Sequence, residues 1–263
     1  MRFNETSLTR LLTLVFAACV WLATGPAAAD DFELGQKGRI NYLIDAMASK
    51  NPKPDRSGPS ARLSKDYDPQ AQAVVYLAIQ QLSQEGSTAF DSLVAHFDDE
   101  RYSYSYHSPN GIMNVTVGAA CRSIMAHILL CYEPSLLNVA GQQGGATPWR
   151  DYNGEKAKDR SSRSLAKWWD DHRDESLSKL QIRGIDAQLA FQQSVTLEDA
   201  RPFNPYSRKI TKEVFEQRRV ENIKMLKELR ASLEREQQPR LTKRDDFSLR
   251  YMAGLPWPSD PNK

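Results

Sequence analysis

Between His96 and His107 the chain reads HFDDERYSYSYH, which places two imidazoles, three carboxylates and three tyrosines within twelve residues. Histidine and carboxylate side chains ligate zinc or harder cations, so His96, Asp98, Asp99 and His107 are the residues a metal would need here. Their spacing matches no metal signature, and His96 and His107 fall on different expected elements, so no metal and no cofactor is assigned. The bland alternative is a solvated helix terminus at Asp98 and Asp99, with His96 packed beside Phe97. Tyr102, Tyr104 and Tyr106 alternate with Ser103, Ser105 and His107 at the period of a strand. Three tyrosines on one face would either form an aromatic platform for a peptide or glycan or pack on helices with their hydroxyls bonded. They are the candidate binding residues.

A second concentration of chemistry lies at Trp168 and Trp169, followed by Asp170, Asp171, His172, Asp174 and Glu175. Aromatic rings with carboxylates suit a sugar cleft, and glycoside hydrolysis needs two carboxylates flanking the scissile bond. The other reading is an anchor: adjacent residues on a helix point about 100° apart, so both tryptophans are buried only where neighbours wrap the helix. Nucleophilic and nucleotide chemistry find no support. The chain has no G-x-S-x-G elbow, H-E-x-x-H, Walker loop or dinucleotide fingerprint, and GQQGG at 141–145 lacks a lysine and a preceding strand.

These residues need elements to position them. Residues 1–29 carry Arg2 and Arg10, an apolar run LLTLVFAACVWLAT and Ala27-Ala28-Ala29 before Asp30. That is the pattern of a signal peptide cleaved between Ala29 and Asp30. A lipoprotein reading would use Cys19, but Val20-Trp21-Leu22 continue the apolar run where a polar tether belongs. The expected location is therefore secreted or periplasmic, with no membrane span after cleavage. The formal charge of the whole chain is only +2. Near-neutrality argues against a dedicated nucleic-acid binder.

Residues 30–48 form an N-terminal helix, with Ile40, Leu43, Ile44 and Met47 at the spacing of one buried face. Residues 49–69 carry Pro52, Pro54, Pro59 and Pro69 and make an extended linker. A helical domain is expected over 70–200. Its first helix buries Val74, Leu77, Ala78 and Leu82 and ends at Gly86, and Ser87 caps the next, which buries Phe90, Leu93 and Val94. A β-hairpin at 101–117 turns on Ser108-Pro109-Asn110-Gly111. A third helix follows, with Val117, Cys121, Ile124, Ile128 and Cys131 on or near one stripe, and residues 163–193 read as two helices divided at Gly184. Residues 201–263 hold a charged helix from Arg208 to Gln238, striped by Ile223, Leu226, Leu229 and Leu233. Its basic excess suits contact with anionic envelope polymers. The tail beyond it has no period and either packs as an extended arm or frays.

Cys121 and Cys131 would pair in an oxidising compartment. Ten residues of one helix set them about 15 Å apart, whereas a disulfide tolerates roughly 7 Å between Cα atoms. Two buried thiols are expected, and a bridge requires the helix to end before Cys131.

Residues 74–98, VVYLAIQQLSQEGSTAFDSLVAHFD, place Ala78, Leu82, Gly86, Ala89, Leu93 and Phe97-Asp98 in an order that resembles a HEAT-type helical repeat. The likeness covers about residues 70–132. It implies helix pairs that stack because one pair cannot bury its apolar face alone, and extended grooves for proteins or peptides. The segment KWWDDHRDESLSKLQ is similar to secreted bacterial proteins. The expected fold is mainly α, a helical-hairpin (HEAT-like) array with one inserted β-hairpin. The expected function is a non-catalytic interaction or scaffold protein with a protein or peptide partner. The rival is a secreted hydrolase of glycan or cell-wall material acting through a carboxylate and histidine cluster.

Overall fold

The computed structural model describes residues 35–54, 63–108, 111–131, 148, 162–194, 196–197, 211–244, 250 and 253–254. Its described part is mainly α-helical with one two-stranded antiparallel hairpin. Seven α-helices are described: α1 (Gln36–Ala46), α2 (Pro69–Leu82), α3 (Phe90–Ala95), α4 (Val117–Ile128), α5 (Ser162–His172), α6 (Leu177–Ser194) and α7 (Lys212–Glu236). The strands β1 (Tyr102–Ser108) and β2 (Gly111–Thr116) lie between α3 and α4. No helix among the described residues is long and apolar enough to cross a membrane.

The expected face of α1 is the observed one: Ile40, Leu43, Ile44 and Met47 are all buried, and α1 packs chiefly on α2. Pro69 opens α2 at a position where its missing N–H is no loss, and the Asp68 carboxylate accepts the Gln70 amide at 2.8 Å. The buried face of α2 is rotated one position from expectation. Val75, Ala78, Ile79 and Leu82 are buried, whereas Val74 and Leu77 are exposed. Both registers satisfy a 3.6-residue period, and the elements packed on α2, namely α1, α4 and β1, select between them.

Beyond Ser83 the chain turns through Gly86 at φ +63°, a region open to glycine, and makes a 3-10 turn at Gly86–Ala89. The expected hydroxyl cap from Ser87 is absent. Its carbonyl instead accepts the Phe90 amide, so the 3-10 turn leads directly into α3. α3 packs mainly on α4. The first backbone amides of α4, which lack partners within a helix, reach back to the preceding connection: Val117 donates to the Arg101 carbonyl at 2.8 Å and Gly118 to the Asp99 carbonyl at 2.9 Å. Gly118 permits this approach, since a Cβ there would fall 2.2 Å from the Phe97 carbonyl oxygen.

α4 ends at Ile128, earlier than its apolar stripe suggests. Cys131 donates its amide to the Ala126 carbonyl and Leu130 donates to that of His127, the paired bonds of a Schellman cap. Leu130 takes the left-handed position at φ 58°, where glycine is usual. It stays there because its side chain is buried against Ile185, Leu226 and Leu233 in a second, smaller core shared by α6 and α7. The main core gathers α1 to α5, the start of α6 through Leu180, the hairpin and Ala253.

The two helices expected over 163–193 are present, but the division falls at Arg173–Ser176 and Gly184 lies inside α6. Gly184 does not break this helix. Its missing side chain lets α6 meet the end of α4, where a Cβ would stand 2.1 Å from the Leu129 carbonyl oxygen. Thr211 caps α7 by accepting the Val214 amide at 3.3 Å. Leu226 and Leu233 of its expected stripe are buried and pack on α6.

Candidate functional site

The three tyrosines of β1 do not share a face. Tyr102 pairs with Thr116 and Tyr104 with Val115, so one extra residue, Ser103, is inserted in β1 as a bulge. Consecutive residues of β2 point to opposite sides, so the bulge sends Tyr102 to the face opposite Tyr104 and Tyr106. Tyr104 is buried in the main core, with Tyr106 and Val115 packed against it. On the other face the Tyr102 hydroxyl lies 2.9 Å from Ser105 Oγ, which donates to Asn114 Oδ1 at 2.6 Å. Asn114 Nδ2 donates in turn to the Pro54 carbonyl at 3.0 Å. The linker is thus hydrogen-bonded to this second face, and its two ends are tied by paired Asn51–Asp68 bonds of 2.9 and 2.6 Å. Burial and the neighbouring Tyr102 and Asp68 push the Tyr67 hydroxyl well above its usual pKa. The three tyrosines are therefore divided between the two faces of the hairpin, Tyr104 buried and Tyr102 and Tyr106 half-buried, and do not form one platform.

The carboxylate and histidine residues near it are also engaged. Asp99 receives three hydrogen bonds from the Arg101 side chain, which holds its carboxyl below the usual carboxylate range. Arg101 also meets Asp45 of α1 at 2.9 Å. Nδ1 of His96 lies 2.8 Å from the Ser92 carbonyl, and Asp98 and Glu100 are exposed. The side chain of His107 lies outside the described residues. Among the described residues no group of three or more His, Cys, Asp or Glu is placed to hold a metal ion.

Trp168 and Trp169 are both buried. Trp169 donates its indole N–H to Asp91 at 2.7 Å and meets Phe90 edge-on, with ring centroids 5.1 Å apart. Trp168 stacks on His172. Two of the carboxylates that follow are taken up by arginines: Asp170 pairs with Arg173, and Glu175 with Arg183 at 2.6 Å, which lowers the Glu175 pKa. Cys121 and Cys131 are free and buried. Burial pushes the Cys121 thiol up to about 12 and raises Cys131 as well. The cleavage residues Ala29 and Asp30, the Pro109-Asn110 turn and the GQQGG loop lie outside the described residues.

Another arrangement forms where the C-terminal segment leaves α7. Beyond Gln237 the chain leaves regular secondary structure, and its backbone is gripped at residues 240, 242 and 244. Gln181 of α6 accepts the Arg240 amide on Oε1 at 2.8 Å and donates from Nε2 to the Arg240 carbonyl at 2.6 Å. The same Nε2 donates to the Ile128 carbonyl at 2.8 Å. Nε2 of His127, in α4, lies 2.9 Å from the Thr242 carbonyl and 3.2 Å from its hydroxyl. Ser83, at the end of α2, accepts the Arg244 amide on its Oγ at 3.2 Å and donates to the Gln80 carbonyl. The bonded groups fall at residues 240, 242 and 244, the two-residue spacing of an extended segment, so Gln181, His127 and Ser83 form a row that reads backbone groups. Leu241, between them, lies beside Gly86. The side chains of residues 240–243 are exposed, so the grip is chiefly on the backbone, with the Thr242 hydroxyl as an added contact.

The later described residues, Arg250, Ala253 and Gly254, lie near α2 and its N-terminus. The Arg250 guanidinium lies over the Tyr76 ring, 5.5 Å from its centroid, and donates to the Tyr76 hydroxyl at 2.9 Å. Ala253 is buried in the main core, and Gly254 lies beside Pro69. Of the two expectations for the tail, the packed arm is the one observed in its described residues. The sequence signal for this row was weak. It consists of Gln181, Gln188 and Gln192, three fully buried amides on one helix, where aliphatic residues would have been legible. Gln188 donates to the Cys131 carbonyl at 2.6 Å, one further backbone group held by the same helix. Comparison of the chain with family models, with curated proteins and with solved structures returns no match.

Proposed function

We propose that the chain is a secreted or periplasmic, non-catalytic interaction protein that grips an extended polypeptide segment across the ends of α2, α4 and α6. The observation that carries this reading is the row formed by Ser83, His127 and Gln181, which meets the backbone of alternate residues in one extended segment. Side chains that bond to backbone amides and carbonyls provide affinity without demanding a sequence, as in strand addition. The HEAT-type likeness of residues 70–132 points the same way, since helical stacks of that kind present grooves to proteins and peptides. The leader-like residues 1–29 support export, and the basic excess of α7 suits an added contact with anionic envelope polymer.

The test uses a labelled peptide of residues 237–246 and the full chain carrying R240P and R244P. Proline removes the two arm amides that Gln181 and Ser83 accept, so the row is vacated and none of its own residues is changed. Fluorescence anisotropy should show saturable one-to-one binding to this variant and at least tenfold weaker binding to the wild type, whose row is filled. Adding Gln181→Ala to the variant should abolish the binding. An arm variant that keeps the wild-type circular dichroism and leaves the peptide free would overturn the reading.

A further inference from the structure

The strongest unexplained feature outside the row is the joint between α7 and the arm. Gln237 is the C-cap of α7 and stands at φ 52° and ψ 18°, a left-handed conformation that an L side chain rarely adopts. Its amide still bonds to the Leu233 carbonyl at 2.9 Å, so helical bonding reaches this residue and the chain departs only here. Gln238 and Pro239 follow, both exposed and outside regular structure. One strained, solvent-exposed residue therefore sets the direction of the whole arm. Relaxing it to the ordinary helical region would redirect the chain, which Pro239 bars from continuing as helix, and lift residues 240–244 from their row.

The contacts on either side of this joint are unequal. Toward α7, Arg240 donates to Ser232 Oγ at 3.3 Å. The grip on Arg240, Thr242 and Arg244 comes from residues 59, 115 and 161 positions away in sequence. Those partners distinguish backbone groups, not the chain that supplies them. An arm from a second copy satisfies Gln181, His127 and Ser83 with the same bonds.

We propose that two copies of this chain associate by exchanging their C-terminal arms, residues 240–244 of each lying on the Ser83–His127–Gln181 row of the other copy. This inference rests on the reading above that the row grips an extended segment, and it names the partner. Closed and exchanged forms make identical row contacts, so strain at the hinge and chain concentration decide between them. Release of the left-handed Gln237 favours exchange, and the high effective concentration of a tethered arm favours closure.

Complementation tests the exchange. The full chain with R240P and R244P has a sound row and a defective arm. The full chain with Gln181→Ala and His127→Ala has a sound arm and a defective row. Light scattering after size exclusion should find each variant monomeric alone and a one-to-one heterodimer on mixing. Wild-type chain should show a dimer fraction that rises with concentration. Gln237→Gly removes the hinge strain without touching the row and should lower that fraction several-fold at equal concentration. It also serves if the row variant does not fold. No association on mixing, with the peptide of residues 237–246 still bound by the arm-defective chain, overturns the exchange and leaves the peptide-gripping reading intact. Loss of both overturns both. A wild-type dimer fraction unchanged by Gln237→Gly also overturns the exchange.

Discussion

The side-chain amide of Gln181 is bonded to both backbone groups of Arg240, accepting its N–H at 2.8 Å and donating to its carbonyl at 2.6 Å. A buried glutamine therefore takes the place of a neighbouring strand for one residue of the arm. Its Nε2 also holds the Ile128 carbonyl, at the last residue of α4, so one amide joins α4, α6 and the C-terminal segment. Replacement by leucine keeps the volume and leaves those groups unpaired. Each unsatisfied buried group costs about 1–3 kcal/mol, and Gln181→Leu is expected to lower stability by about 2–4 kcal/mol on that basis. Urea unfolding measures the loss, and hydrogen exchange should show the Arg240 amide losing protection before the helices do.

Gly184→Ala tests close helix approach against helix propensity. Alanine is favoured over glycine in a helix interior by about 1 kcal/mol, so propensity alone predicts a gain. A Cβ at this position would stand 2.1 Å from the Leu129 carbonyl oxygen. Backbone must move to admit it, and overpacking of this kind costs about 1–3 kcal/mol. The expected sign is destabilising, and a raised melting temperature would show that α4 and α6 are not in contact there.

The hairpin predicts unequal tyrosines. Tyr104 is buried in the core, and truncating a large buried aromatic to alanine costs about 3–5 kcal/mol. Tyr102→Phe removes only the bond to Ser105, a loss of about 1 kcal/mol. Equal effects in chemical denaturation would contradict the bulge at Ser103.

The histidine of the row links stability to pH. Burial holds the His127 pKa below its usual value, and the Arg244 charge adds to this while the bond to the Thr242 carbonyl opposes it. The unfolded chain thus takes up the proton first. Stability is fully present above about pH 6.5, the ordinary histidine value, and declines as pH falls from there toward the folded-state value. Asp99 and Glu175, both lowered, lose their contributions only in the more acidic carboxylate range. Urea midpoints at pH 7.5 and 5.5 should therefore fall less for His127→Gln than for the wild type.

Neither Cys121 nor Cys131 should react with a thiol reagent in the native protein. Both are buried, and with Cys121 pushed up to about 12 almost no thiolate exists at neutral pH. Peptide mapping should find both labelled after denaturation without reductant, and an unlabelled pair would reveal a disulfide.

The legible parts of this protein were those where apolar side chains repeat at a local period. The face of α1 through Ile40, Leu43, Ile44 and Met47, the stripe of α4, and the two strands of the hairpin follow from spacing within a dozen residues. Periodicity reports which side chains leave water, and it defines a face without saying which neighbour lies against it. For that reason α2 was placed one position out of register, and Val74 and Leu77 stand exposed.

Three features were decided only by the tertiary structure. Gly184 resembles a helix breaker until the Leu129 carbonyl is found beside it. Ser103 resembles any strand residue until the pairing of Tyr102 with Thr116 makes it a bulge and divides the tyrosines between two faces. Gln181 resembles a surface residue until the carbonyl of Ile128 and the backbone of Arg240 arrive to satisfy it. By itself the sequence determined the helices and the hairpin, because burying apolar surface leaves a local pattern. The row that holds the arm was settled by hydrogen bonds between distant segments, and a polar side chain is worth burying only once its partners are in place.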